Sequence, residues 1–293
     1  MRVIPGGDGG TAEQDATLEA GPARHCSEAA SWIYLLTFTW VEEPVLGMSP
    51  GVSRADVVRF EPDKKTLTPL GELNCPGAQG PSSMAVDRSG HAWVYYQATD
   101  AIFRVNLDDL SCAATEYDGE KTNFGKMGMA FVADSQDAPD ETLYIAGRVG
   151  TTDTGKLATL DTDTFEIDMR GEFDNFGELT GNGIGEVWAF RANMPPRELY
   201  ELDKSNADIL RTFSAAEIDT ETSSGASGYA FAFWGGSYYL FYRSVQKHQA
   251  DDTTTSGIWK LDPDTGEIEE VVEESGHTIV GAGVSTCAPV RVL

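Results

Sequence analysis

Apolar and polar residues alternate through Ile258-Trp-Lys-Leu-Asp-Pro-Asp-Thr-Gly-Glu-Ile-Glu-Glu-Val271, broken midway by Asp262-Pro-Asp-Thr-Gly266. Alternation with period two places successive side chains on opposite faces of a strand, and the Asp/Pro/Gly cluster reverses the chain, so the segment predicts a β-hairpin. Versions of it recur at Val58–Leu67, Phe103–Cys112, Ala158–Ile167 and Leu199–Ile209. Anchored on Phe60, Val105, Leu160, Leu202 and Leu261, the copies are spaced by 45, 55, 42 and 59 residues. A repeat of that length, with variable loops and constant strand cores, is the mark of a radially or linearly repeated architecture.

Before four of the hairpins lies a second pair of strands. These pairs are Ser82–Asp87 with Ala92–Tyr96, Met127–Val132 with Thr142–Ala146, Leu179–Gly183 with Glu186–Phe190, and Tyr229–Phe233 with Tyr238–Tyr242. Each unit is thus four antiparallel strands, a to d. The a strands are crowded with small residues (Ser83, Ala85, Gly128, Ala130, Gly181, Ala230, Ala232), as strands converging on a narrow axis require. The pattern predicts an all-β fold, a β-propeller of five four-stranded blades. A sixth blade is the alternative if residues 39–56 hide strands. The first unit lacks an a strand and enters at Trp32–Phe38, whereas Ile279–Ser285 at the other terminus has the a-strand composition. Pairing the C-terminal strand with the N-terminal three closes the ring and removes the open sheet edge.

Composition bounds the rest. A chain of 293 residues suffices for one large domain, expected over 29–293, behind a Gly- and acid-rich leader over 1–28 that lacks periodicity and reads as disordered. No apolar run reaches the roughly 18 residues of a membrane-spanning helix. With 47 acidic against 21 basic residues and a net charge of −26, nucleic acid and anionic membranes are excluded as general partners. No cofactor is predicted. The excess of acid would suit Ca²⁺, but Asp87-Arg-Ser-Gly90 and Asp262–Gly266 lack a bidentate Glu at the required distance and read as turns. Met1-Arg-Val-Ile4 is followed by no apolar signal region.

Four cysteines allow three pairings. Cys287 ends the closing a strand and Cys26 precedes the b strand it should pair with, at the same end of an antiparallel pair. A Cys26–Cys287 bond would pin the termini, on the order of 4–5 kcal/mol in the chain-entropy description. Cys75 and Cys112 then pair by elimination, although the strand order puts them at opposite ends of adjacent d strands. Two disulfides point to an exported protein, secreted, periplasmic or in the outer envelope.

Because strands alternate in direction, the b–c and d–a connections emerge together on one face, and most are long: 39–56, 74–81, 118–126, 214–227 and 244–256. Long loops on a rigid scaffold are where binding is expected. On that face the b strands end in Arg148, Arg191 and Arg243, an equivalent position in three blades. The arginines could form a rim for a carboxylate, sulfate or phosphate, or pair with carboxylates such as Glu178 or Glu217 of a neighbouring blade. Glu178 at an a-strand entrance and Asn182 within that strand complete the candidate ligand residues. The histidines 25, 91, 248 and 277 have no metal-ligand spacing, no Gly-x-Ser-x-Gly elbow is present, and Gly181-Asn-Gly-Ile-Gly185 lies between strands and opens no helix. No pair of inward carboxylates suited to glycoside cleavage stands out, so no catalytic residue is nominated. Trp93, Trp188, Trp234 and Trp259 read as packing between blades.

Through Pro81–Val94, Ala230–Gly236 and Thr278–Pro289 the chain resembles uncharacterised exported repeat proteins of Gram-negative bacteria, over roughly residues 30–290. That resemblance implies export and supplies no functional residue. In fold the chain is also similar to NHL and lactonase-type propellers, without their metal-ligand set. The expectation is an exported, non-catalytic binding propeller that meets a protein or glycan on its long-loop face. The alternatives are an extracellular hydrolase or lyase acting on a glycan or polyanion, and a structural subunit of a surface assembly; the oligomeric state stays open.

Overall fold

A computed structural model describes residues 25–42, 51–136, 138–149, 154–174, 177–193, 195–219, 225–251 and 253–291. Among them, five four-stranded antiparallel sheets form a five-bladed β-propeller. The first blade holds β1 (Ile33–Glu42), β2 (Val52–Glu61) and β3 (Thr66–Glu72). The second holds β4 (Pro81–Val86), β5 (His91–Tyr96), β6 (Ala101–Asn106) and β7 (Cys112–Ala114). The third runs through β8 (Phe124–Ala133), β9 (Glu141–Val149), β10 (Gly155–Leu160) and β11 (Ile167–Phe173). The fourth has β12 (Glu178–Gly181), β13 (Val187–Arg191), β14 (Glu198–Leu202) and β15 (Ile209–Ser214). The fifth has β16 (Ala226–Trp234), β17 (Ser237–Ser244), β18 (Gly257–Leu261) and β19 (Ile268–Val272).

The last strand, β20 (Ile279–Val284), is the missing a strand of the first blade. It pairs antiparallel with β1, Ile33 opposite Val284 and Leu35 opposite Ala282, so the ring closes between the two ends of the chain. A disulfide joins Cys26 to Cys287 beside this seam, with Cα atoms 5.9 Å apart. The leader expected over 1–28 lies outside the described residues as far as 24. Cys26–Glu28 are held against the ring: Ser27 caps a short 3-10 turn (Glu28–Ser31), and its N–H donates to Arg88 O in the second blade.

Five apolar clusters fill the five spaces between blades. Phe60 of the first blade packs edge-on to Tyr239 and Phe241 of the fifth, at 5.7 and 6.0 Å between ring centroids. Burying one such ring contributes roughly 1.5–3 kcal/mol, and every blade contributes to two clusters, so no blade folds alone. Trp93, Trp188 and Trp234 are buried in this layer as expected, and Trp259 is half-buried against it. At the axis the small residues are obligatory. A Cβ on Gly181 would lie 2.1 Å from Phe131 O of the preceding blade.

Two expectations need correction. Among the described residues of 39–56 there is no sixth blade; the stretches 39–42 and 52–56 extend the antiparallel pairing of β1 with β2, and 43–50 lie outside the described residues. Cys75 and Cys112 do not sit apart but form the second disulfide, Cα to Cα 5.3 Å. Beyond β3 the chain turns inward, and Leu73 and Cys75 enter the core between the first two blades with Tyr96 and Phe103, against which Cys112 packs. In four of the five blades the c–d turn is an Asx turn, built on Asn106, Asp161, Asp203 and Asp262. Asp161 Oδ1 accepts from the N–H of Thr164 and Asp163, and those bonds hold its carboxyl below the usual range. Asp262 does the same toward Asp264, which accounts for the calcium-loop likeness of that turn.

Candidate functional site

Four of the five inner strands carry a β-bulge at the same level, where the chain arrives from the long-loop face. In β4 the register with β5 shifts between Pro81 and Ser83, so Ser82 has no partner residue. In β8 the shift falls between Gly125 and Gly128 and sets out Lys126 and Met127. In β16 it sets out Ser227, and in β20 it sets out Val280. The inner strand of the fourth blade, β12, begins at that level with Glu178. A bulge bends its strand and re-aims the extra side chain. Here the bulged residues meet around the axis and line a mouth of about 220 Å³, together with Gln97, Gly177, Glu178 and Tyr229. Gly128 and Gly228 let the inner strands approach: a Cβ at Gly128 would come within 2.5 Å of Gly177 O, and one at Gly228 within 2.7 Å of Ile279 O.

Lys126 adopts φ +50°, a left-handed conformation uncommon for a lysine, and its N–H is held by Tyr95 Oη at 3.1 Å. Its ammonium has no protein partner among the described residues. Glu178 is 7% exposed. Its Oε2 accepts from Ser83 Oγ at 2.8 Å, and Ser83 Oγ accepts from Met129 N–H at 3.0 Å, so one hydroxyl ties three inner strands together. Oε1 meets no donor among the described residues and faces the mouth. Burial pushes the Glu178 carboxyl well above the usual carboxylate range, and the Ser83 hydrogen bond opposes this weakly. Tyr229 packs edge-on to Phe190 at 6.1 Å. Its phenol is pushed up by burial and by Glu178, and drawn down by Arg148. Ser82 Oγ is likewise unpartnered.

The Glu178 shift has a direct consequence. Its folded value lies above its unfolded one, so its contribution to stability is present at low pH and declines as pH rises from the unfolded value of 4.5 toward the folded one. Each pH unit in that window costs about 1.4 kcal/mol. Glu178→Gln keeps an acceptor for Ser83 and removes the ionisation. The variant is expected to unfold at higher denaturant than the parent at about pH 8 and to converge with it near about pH 4. Parallel profiles would show that Glu178 is solvated.

The residues nominated from sequence do not form one cluster. Arg148 lies beside the mouth, opposite Gly125 in the β8–β9 register. Arg191 is tied within its own blade: its guanidinium donates to Pro196 O and Glu198 Oε2, both at 2.7 Å, and to neither Glu178 nor Glu217. Arg243 lines a separate groove of about 720 Å³ between the fifth and first blades, donating to Thr254 O and to His248 Nδ1. That groove meets the mouth at Ser227, which lines both. Asn182 sits at the far end of β12, 1% exposed, where its Oδ1 accepts from Ile184 and Glu186 N–H and shapes the turn to β13. Of the five, Glu178 alone lines the mouth. The sequence reading missed Ser82, Gln97, Lys126, Ser227 and Tyr229. One signal pointed to them: Ser82-Ser83, Met127-Gly128, Ser227-Gly228 and Val280-Gly281 each place an extra residue before the small residue of an inner strand.

Among the described residues no group of three His, Cys, Asp or Glu is arranged to hold a metal. No helix is long and apolar enough to cross a membrane. No family model matches the chain, and no curated protein matches it. Solved structures do. A chain of a nidogen–laminin complex is 13% identical, with a TM-score of 0.49 over 90% of this chain and 87% of its own. A protein of unknown function from Bacteroides caccae is 10% identical, TM-score 0.47, over 86% of this chain and 98% of its own. Virginiamycin B lyase from Staphylococcus aureus is 13% identical, TM-score 0.38, over 81% and 73%. At these values the likeness is one of architecture and assigns no activity.

Proposed function

We propose that this protein is an exported binding propeller whose long-loop face takes a ligand at the axial mouth. The observation that carries the reading is the ring of bulges. A strand gives up regular pairing at a cost, and here four blades do so at one level, each setting a side chain around a single opening. Two of the long connections, 118–126 and 214–227, end on mouth residues Lys126 and Ser227. A concave site on a rigid scaffold, with convergent polar groups lacking protein partners, is the arrangement expected of a ligand site. Two disulfides support export.

The test is a thermal-shift screen of small polar molecules against the parent and against Ser82→Trp, which fills the mouth from a bulge that bears no ladder pairing. Ligands of the mouth are expected to raise the melting temperature of the parent and not of the variant. Mass spectrometry should recover each ligand unchanged. Hits that stabilise both proteins equally would move the site elsewhere, and a converted ligand would replace binding with catalysis.

A further inference from the structure

The mouth is dipolar. Its third-blade side carries Lys126, its fourth-blade side carries Glu178, and Tyr229 of the fifth blade also lines it. Lys126 is turned out by a bulge in a strained backbone conformation, and no carboxylate among the described residues answers its ammonium. Glu178 is held at one oxygen by Ser83 and open at the other, and no ion pair among the described residues includes it. Lys126 and Glu178 face the same small space yet do not pair with each other. A buried carboxylate left without a counter-charge is costly, and a pair of opposite charges held apart is complementary to a ligand carrying both signs.

We propose that the axial mouth binds a small zwitterion of amino-acid size, its ammonium taken by Glu178 and the Tyr229 ring and its carboxylate by Lys126. This deepens the reading of the mouth as the ligand site and rests on it. The cavity of about 220 Å³ sets the size class. The ammonium would supply the donors that Glu178 Oε1 and Ser82 Oγ lack, and a ring face at its side adds a cation–π contact. The chain's charge of −26 concentrates cations near the surface, while Lys126 discriminates against a bare amine. A neutral polyol would leave both charges unanswered. Charged and ring groups around the mouth thus have one assigned partner each.

The test is isothermal titration of the full chain with L-leucine, 3-methylbutylamine, 4-methylpentanoate and glucose near neutral pH. Leucine is expected to bind roughly tenfold or more tightly than the amine or the acid, each of which keeps one of its charges, and glucose not to bind. Glu178→Gln should bring leucine down to the affinity of the acid, and Lys126→Gln should bring it down to that of the amine. Both variants keep the inner-strand hydrogen bonds, and a single cooperative melting transition, no lower than the parent's for Glu178→Gln, shows that they fold. Glucose binding comparable to leucine, or leucine binding indifferent to both substitutions, overturns the zwitterion. If none of the four binds while the Ser82→Trp screen still finds mouth-dependent ligands, the ligand class fails and the site stands. If that screen too is empty, both fall.

Discussion

Arg197→Met is expected to destabilise the fold by about 3–5 kcal/mol, the cost of leaving a buried carboxylate without its partner. Arg197 is 2% exposed, just ahead of β14. Its Nη2 donates to Asp219 Oδ2 at 3.0 Å, its Nη1 to Asp219 O at 2.9 Å, and its Nε and Nη2 to Tyr242 Oη at 3.1 and 2.9 Å. Tyr242 Oη in turn donates to Asp219 Oδ2 at 2.9 Å, and the guanidinium lies 5.1 Å from the Tyr242 ring centroid. The cluster therefore joins the fourth blade, the connection after it and the fifth blade. Methionine fills most of the volume but answers neither Asp219 nor Tyr242. Adding Asp219→Asn should recover a substantial part of the loss, because it removes the stranded charge and keeps an acceptor for Tyr242. Urea unfolding of the single and double variants measures both steps. A single variant within about 1 kcal/mol of the parent would mean that the network is solvated in solution.

Cys26→Ala with Cys287→Ala is expected to cost about 5.5 kcal/mol in the chain-entropy description. The bond closes a sequence separation of 261 residues. The other disulfide closes 37 and is worth about 4 kcal/mol on the same description. The difference is small, but the site of failure differs. Without Cys26–Cys287 the seam keeps the β1–β20 ladder and the contact of Arg88 Nε with Thr286 Oγ1 at 2.6 Å. Those are local interactions at a chain end. Hydrogen exchange should then show β20 amides opening ahead of the remaining inner strands, whereas loss of Cys75–Cys112 should leave β20 protected. Equal protection of β20 in both variants would show that the seam holds without its covalent bond.

How much of this was legible in the chain depends on the range of the interaction. The Asp- and Asn-containing c–d turns, the period-two strands and the small residues of the inner strands are local signals, and they point to five blades. Gly128 and Gly181 are readable as glycines that backbone approach demands. The half-blade at Trp32 and the orphan strand at Ile279 imply closure because an unpaired sheet edge is unfavourable. Arg197 gave no such signal. It stands outside the position shared by Arg148, Arg191 and Arg243, and its partners Asp219 and Tyr242 lie 22 and 45 residues away. The arginine that joins two blades was therefore passed over for three that share a register.

Blade count, closure and the pairing of the termini were thus determined by sequence alone, since each rests on periodicity or on the need to satisfy a strand edge. The mouth was decided by tertiary structure. A bulge at Ser82 or Lys126 means little within its own hairpin. It becomes a site only when ring closure brings four bulges and the Glu178 carboxyl to one level of one axis, and packing against neighbouring blades takes that carboxyl out of water.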